Sequence, residues 1–380
     1  MKVGDEITIA PAELVAGGEA MAKVEGFPIF VAGLYPGDVA VVRLAEVRKG
    51  FARGDMLRLA TPSASRRLEP CPIADECGGC DWTALRLDKQ LEAKRRILTE
   101  SLRRIGKIDP AGLPSIAIHP SPLNYRLRSR LHSDPATGDV GFFAARSNRV
   151  VPLARECEIV GPQLLAHLDA LRDLHGQEID AWESGDRYHA TASGEISMTI
   201  SLAGFSYQLT SEVFFQINRH LLGTMLRLVT DHARKISRRK TAIDLYAGAG
   251  FFTLPLAALF ERVISVEGSP ASHRLARLNA QGLSNVELAG MSVEQFLQRM
   301  PKADLIFLDP PRGGARPEMI EAIGKRAIEA ICYLSCDPVT FARDANRLIA
   351  SGWRISTLDL LDLFPNTHHV ETLSLFERAG

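Results

Sequence analysis

Apolar positions alternate with polar ones in short runs over the first sixty residues, whereas the last third carries continuous apolar runs separated by helical patterns. Residues 7–9, 20–24, 29–31 and 38–44 are β-like and partly alternating. Gly17-Gly18, Glu25-Gly26 and Pro36-Gly37 supply turns between them. Short strands at this spacing predict a small closed barrel of the OB type over residues 1–60. Leu85, Leu87, Leu91, Ile97, Leu98, Leu102 and Ile105 then fall near helical spacing and predict an amphipathic helix. Arg95, Arg96, Arg103 and Arg104 crowd its C-terminal part, where cations suit the helix dipole. Residues 125–132 alternate as a strand with one basic face. A helix near 162–175 and strands near 197–202 complete an α+β middle segment over 61–209.

Residues 210–380 read as one α/β domain. The stretch 210–218, with Phe214, Phe215, Gln216 and Asn218, leads into it through a helix. Ala242-Ile243-Asp244-Leu245-Tyr246 reads as a buried strand, followed by Gly248 and Gly250 and an apolar helix beginning near Phe251. Strand, glycine turn and helix form the first half of a nucleotide-binding unit, because glycine admits close backbone approach and the helix start offers free N–H groups. The strand 263–266 ends in Glu267, a carboxylate able to accept hydrogen bonds from ribose hydroxyls. A dinucleotide fingerprint would want a third glycine where Thr253 stands. An acidic strand residue with glycines four and six positions later resembles the S-adenosylmethionine (SAM) site of Rossmann-like methyltransferases.

Composition narrows the partners. With 380 residues the chain has room for two or three domains, and 46% apolar and 24% charged residues are ordinary for a globular protein. Its net charge is zero, so any nucleic-acid footprint is local. Between Arg86 and Arg149 stand 13 Lys/Arg against 6 Asp/Glu, which reads either as a phosphate-tracking surface or as a solvated sheet face. Lys2, Asp5 and Glu6 interrupt any secretory pattern. The longest apolar run, 245–260, contains Pro255 and is too short for a membrane span. A monomeric cytoplasmic enzyme without membrane contact is the expectation.

Six cysteines stand at 71, 77, 80, 157, 332 and 336, three of them within ten residues. Such clustering in a cytosolic chain points to metal. Gly78 and Gly79 free the backbone to turn Cys71, Cys77 and Cys80 toward one point, and Cys157 is the fourth candidate. All-thiolate ligation suits zinc or an iron–sulfur cluster, and the spacing does not decide between them.

Two predicted strands carry chemistry at their carboxyl ends. The strand 305–308 delivers Asp309-Pro310-Pro311-Arg312, which resembles the base-binding loop of nucleobase methyltransferases. The strand 331–335 delivers Cys336, where a thiolate could add to carbon 6 of uracil and activate carbon 5. Glu371, just before the last strand, is the candidate base for the carbon 5 proton, with His368 and His369 as rivals. Cys332 sits mid-strand and reads as core.

Taken jointly, GEAMAKVEGFPIFVAGLYPGD, CPIADECGGC, FFQIN, DLYAGAG, LDPPRGG, YLSCDP and DLFPNTHHVETLSLF are similar to the bacterial RNA 5-methyluridine methyltransferases that carry an iron–sulfur cluster. The resemblance spans nearly the whole chain. It implies a class I SAM-dependent methyltransferase domain behind a TRAM-like barrel and a central iron–sulfur domain. It implies a 4Fe–4S cluster on Cys71, Cys77, Cys80 and Cys157, Cys336 as nucleophile and Glu371 as base. Gln216, Tyr246, Glu267 and Asp309 would contact SAM or uracil, beside Gly248 and Gly250 of the SAM loop. The implied substrate is structured RNA, 23S rRNA first and tRNA second. Two positions depart from the family: Asp337 and Phe251 stand where asparagine is common. A 5-methylcytidine enzyme would place cysteine where Arg312 stands, a redox enzyme would want the third glycine, and a pure RNA-binding scaffold would not need both Cys336 and Glu371.

Overall fold

Alternation in the first sixty residues buries one face of a single curled sheet. The computed structural model describes residues 1–174 and 176–379; His175 and Gly380 lie outside the described residues. The first sheet comprises β1 (Glu6–Ile9), β2 (Glu13–Leu14), β3 (Ala20–Val24), β4 (Phe27–Val31), β5 (Val39–Val47) and β6 (Ala52–Thr61), in the order β1-β5-β6-β4-β3-β2. β1 also touches β3, so the sheet rolls back on itself. Ala40, Val42 and Leu44, every second residue of β5, are buried inside it. Strands β2 and β6 were not expected. Only Ala52 and Gly54 of β6 are fully buried, and its pairing with β5 passes through three register shifts, so its sequence carries little alternation.

The expected amphipathic helix is α1 (Leu87–Arg104), followed by the short β7 (Ile116–His119). Strands β8 (Arg128–Ser133), β9 (Val140–Phe143), β10 (Val150–Pro152), β11 (Glu178–Ser184) and β12 (Arg187–Thr191) form an antiparallel sheet in the order β10-β9-β8-β11-β12. In place of one helix near 162–175 stand two short ones, α2 (Pro162–Ala166) and α3 (Leu168–Arg172); the expected end at His175 falls outside the described residues. A hairpin of β13 (Ser197–Leu202) and β14 (Phe205–Thr210) follows. The stretch 211–221 is irregular, and the helix expected there begins only at α4 (Leu222–Arg234).

The remaining elements alternate: β15 (Thr241–Leu245), α5 (Thr253–Ala257), β16 (Arg262–Val266), α6 (Pro270–Asn279), β17 (Val286–Ala289), α7 (Val293–Leu297), β18 (Leu305–Leu308), α8 (Pro317–Gly324), β19 (Ala330–Ser335), α9 (Pro338–Ala350), β20 (Trp353–Leu361) and β21 (Glu371–Arg378). They build an eight-stranded sheet in the order β17-β16-β15-β18-β19-β21-β20-β7, parallel except for β21. Helices cover both faces, which is why β18 and β19 are buried along their whole length and read as apolar runs up to the terminal Ser335. The strand order reverses between β15 and β18, the switch point at which open α/β sheets bind ligands. The first half of the chain reaches into this layer: β7 pairs with β20, and α1 packs on α9. No helix among the described residues is long and apolar enough to cross a membrane.

Candidate active-site cleft

A cleft of about 880 Å³ opens over the carboxyl ends of β15, β18 and β19. Because β21 runs antiparallel to β19, its first residue comes to the same end of the sheet. Ser335 is paired with Thr372, so the next residues outward on the two strands, Cys336 and Glu371, are cross-strand neighbours. Asp309 stands at the end of the adjoining β18. Cys336, Glu371 and Asp309 all line the cleft.

Burial dominates their acid–base behaviour. Glu371 is 3% exposed, and its carboxyl is raised well above the usual range by burial and then by Asp309. Asp309 is pushed up to about 8 by burial and by Asp244, although its residue surface is partly open toward the cleft. The Cys336 thiol is pushed up to about 12 by burial, then by Glu371 and Asp309. Three acidic groups thus share one cleft, and burial with mutual repulsion favours the neutral form of each.

The glycine turn forms the other end. Tyr246 has a left-handed backbone (φ +62°), and its hydroxyl donates to Met319 Sδ at 3.4 Å. Gly248 (φ +56°) donates its N–H to Glu267 Oε2 at 2.9 Å, and Ser269 N–H donates to Glu267 Oε1 at 2.6 Å. Both carboxylate oxygens are thereby oriented, with lone pairs left for a ligand. Thr253, in the place of a third glycine, donates its hydroxyl to Asp244 Oδ2 at 2.5 Å. Asp244 Oδ1 is buried without a hydrogen-bond partner among the described residues.

Of the residues singled out in the sequence, Gln216, Tyr246, Gly248, Glu267, Asp309, Cys336 and Glu371 converge on this cleft. Gly250 lies behind the lining, where its N–H donates to Ala247 O at 2.8 Å and φ is +84°. Phe251 packs its ring against Phe252 and Phe215, with centroids 4.7 and 5.1 Å away. Asp337 caps α9, accepting from Val339 N–H at 3.0 Å and Thr340 N–H at 2.7 Å. His369 also lines the cleft, while His368 Nδ1 sits 2.7 Å from Asp81 Oδ2.

The opposite wall was not anticipated. Gly78, Gly79, Arg126 and Phe142 line it, so the cysteine-bearing segment faces the same cavity as Cys336. The Arg126 guanidinium lies 5.0 Å from the Phe142 ring centroid. Its neighbours on the alternating basic strand behave differently. Arg128 pairs with Asp180 at 2.8 Å and Arg130 reaches the same carboxylate at 3.4 Å, so much of that face is neutralised by Asp180. The only sequence signal for Arg126 was its place in this alternation.

Behind that wall Cys71, Cys77, Cys80 and Cys157 line a second, smaller cavity with Glu158 and Asn366. All four are free thiols, and burial raises each of them, most strongly Cys80. The charge of Arg126 opposes that rise at Cys77, Cys80 and Cys157. Among the described residues no group of three or more His, Cys, Asp or Glu side chains is gathered closely enough to hold a metal ion. The four sulfurs share a cavity without the tight tetrahedron that a single ion at about 2.3 Å would require.

A family profile described as tRNA (uracil-5-)-methyltransferase matches residues 195–379, and a TRAM domain profile matches residues 2–57. The chain is 32% identical to the 23S rRNA (uracil(1939)-C(5))-methyltransferase RlmD of Edwardsiella ictaluri over 431 residues, covering 98% of this chain and 96% of that protein. It is 30% identical to an uncharacterised RNA methyltransferase of Gloeobacter violaceus, covering 99% and 97%. The fold matches that of a Pyrococcus abyssi tRNA (uracil-54, C5)-methyltransferase solved with S-adenosyl-L-homocysteine, with a TM-score of 0.74 at 22% identity over 97% of this chain and 99% of that one.

Proposed function

Since the chain belongs to the RNA uracil-C5 methyltransferases, which use SAM, we propose that it methylates carbon 5 of a uridine in 23S rRNA through a covalent bond between Cys336 and the ring. The observation that carries this reading is that Cys336, one residue past the Ser335–Thr372 pair of β19 and β21, and Glu371, one residue before it, line one cleft with Gly248 and Glu267.

The sulfur of Cys336 adds to carbon 6 of uracil, and the C5=C6 electron pair moves toward O4 as an enolate. Bound SAM supplies an electrophilic methyl group on a sulfonium, and S-adenosylhomocysteine is left when carbon 5 takes it. Glu371 then takes the proton from carbon 5. That C–H electron pair re-forms C5=C6, the C6–S bond breaks, and the sulfur leaves with its electrons. One proton is released per methyl transferred. Cys336 and Glu371 must be ionised when they act, and a donor held by Glu267 and Gly248 would bring a cationic sulfonium into the cleft they line, favouring their charged forms. Glu267 and Gly248 hold the nucleoside end, and Asp309 and Gln216 position the base and donor. The target uridine leaves its stack to reach so recessed a thiol.

Cys71, Cys77, Cys80 and Cys157 are assigned to a 4Fe–4S cluster. Their shared cavity, with four cysteines in its lining, supports this, as does the positive charge of Arg126 beside it. When bound, the cluster would clip residues 71–80 to Cys157 and stiffen the wall facing the cleft. A tRNA substrate is the second reading, favoured by the description of the matching family profile.

Anaerobically purified protein, tritiated methyl-SAM and ribosomal and transfer RNA from cells lacking the gene test these readings. Label at carbon 5 of uridine in 23S rRNA, lost in Cys336→Ala, is the expected result. Label confined to tRNA moves the substrate to the second reading. Transfer that survives in Cys336→Ala overturns the covalent mechanism.

A further inference from the structure

The loop joining β20 to β21 touches both cavities. Asn366 is fully buried at its centre with φ +66°. Its carbonyl accepts N–H bonds from Asp81 at 2.9 Å and Trp82 at 3.0 Å, the two residues after Cys80. Its side-chain Nδ2 donates to Glu158 Oε2 at 2.8 Å, the residue after Cys157. Its Oδ1 accepts from Gln90 Nε2 and Arg67 Nη2, both at 3.0 Å, and its own N–H donates to Gln90 Oε1 at 2.7 Å. Arg67 in turn pairs with Glu158 at 2.5 Å. Thus both chain segments that carry the cysteines are tied to one residue.

On the other side of the same loop Phe364, Thr367 and His369 line the catalytic cleft, and Glu371 follows. The position needs a left-handed backbone, which glycine would supply at no steric cost. The asparagine side chain adds three inward hydrogen bonds that a turn alone does not require. Cys336 is held differently, at the end of β19 in the middle of the sheet.

We propose that Asn366 is a positioning residue that ties the placement of Glu371 to the order of the four-cysteine cavity, leaving Cys336 unaffected. The inference rests on the roles proposed above for Cys336 and Glu371. Misplacement of Glu371 would leave the first bond and the methyl transfer possible, and would slow removal of the carbon 5 proton. The methylated ring would then stay attached to Cys336.

Asn366→Gly keeps the left-handed backbone and the carbonyl and deletes the side chain. Asn366→Asp keeps the size and places a second oxygen against Glu158, and it serves if the glycine variant does not fold. Each is compared with wild type and Glu371→Gln for turnover on 23S rRNA, KM for SAM, iron and sulfide content, and protein–RNA adduct resistant to denaturing gels. The expected result is turnover lower by roughly 10–100-fold, the scale set by a misplaced catalytic group. Adduct should accumulate as in Glu371→Gln, with KM for SAM and iron content unchanged. Adduct in Glu371→Gln but none in the Asn366 variants overturns the inference alone. No adduct in Glu371→Gln overturns the assignment of Glu371, and this inference with it.

Discussion

Lys94 Nζ lies 2.5 Å from Asp362 Oδ1 with both side chains buried, and it donates a second bond to the Phe364 carbonyl at 2.9 Å. Helix α1 is thereby fastened to the loop that leads to Glu371. Burial lowers the ammonium of Lys94, and Asp362 opposes that shift. Removing one member of a buried pair leaves the other charge stranded, so Lys94→Met should cost about 3–5 kcal/mol in urea unfolding. Lys94→Met with Asp362→Leu should recover most of that loss. A single-variant cost near zero would show that water reaches the pair.

Asp244 makes stability depend on pH. Burial raises its carboxyl from the ordinary 3.8 to about 7, while the Thr253 hydroxyl pulls the other way. The folded chain therefore holds a proton that the unfolded chain releases across that interval. The contribution is full below about 4 and is lost as pH rises through 7. Asp244→Asn carries no such charge, so its Tm relative to wild type should rise between pH 5 and pH 8. A constant difference would mean that Asp244 is already ionised in the folded chain across this range, so that folding does not raise its carboxyl.

The Cys336 thiol, pushed up to about 12, should react slowly with iodoacetamide at neutral pH. A cationic amine analogue of SAM should speed its alkylation several-fold, followed by mass spectrometry of the Cys336 peptide. S-adenosylhomocysteine, which lacks the cation, should not. Equal rates with the two ligands would remove the electrostatic account of thiol activation.

Asp337 caps α9 with hydrogen bonds that an asparagine could make equally well. Both residues accept N–H bonds well at that position. Asp337→Asn should keep stability and turnover, whereas Asp337→Ala should cost about 1 kcal/mol by chemical denaturation, the usual value of an N-cap. Loss of turnover in Asp337→Asn would mark the charge itself as important.

Legibility followed burial. The strand at 305–308 and the run at 331–335 were plain in the sequence because both sheet faces are covered and every residue except the terminal Ser335 is apolar. β6 escaped because two buried positions cannot make a pattern, and β7 because four residues at a sheet edge acquire strand character only from a distant partner. Cys336 and Glu371 were each conspicuous at an element end. Their meeting depends on the antiparallel register of β19 and β21, a tertiary fact that spacing along the chain does not hold. Arg126 looked like Arg128 and Arg130 in the alternating strand. Only the packing of Phe142 and the position of Asp180 separate the one facing the cleft from the two that are paired.

The pairing of β7 with β20 also sets an order of events during synthesis. Ile116 aligns with Leu358, so the ribosome makes the edge strand some 240 residues before its partner. At a synthesis rate of about 5–20 residues per second that gap is roughly 10–50 s, through which β7 waits unpaired. The same arrangement governs dissection of the gene. A fragment starting at residue 210 would carry every residue proposed for methyl transfer, yet it would leave one edge of β20 bare and α9 without α1 against it. Bare edges recruit other chains. Expressed alone, the half with the chemistry should precipitate, and adding the N-terminal half during refolding should keep it in solution.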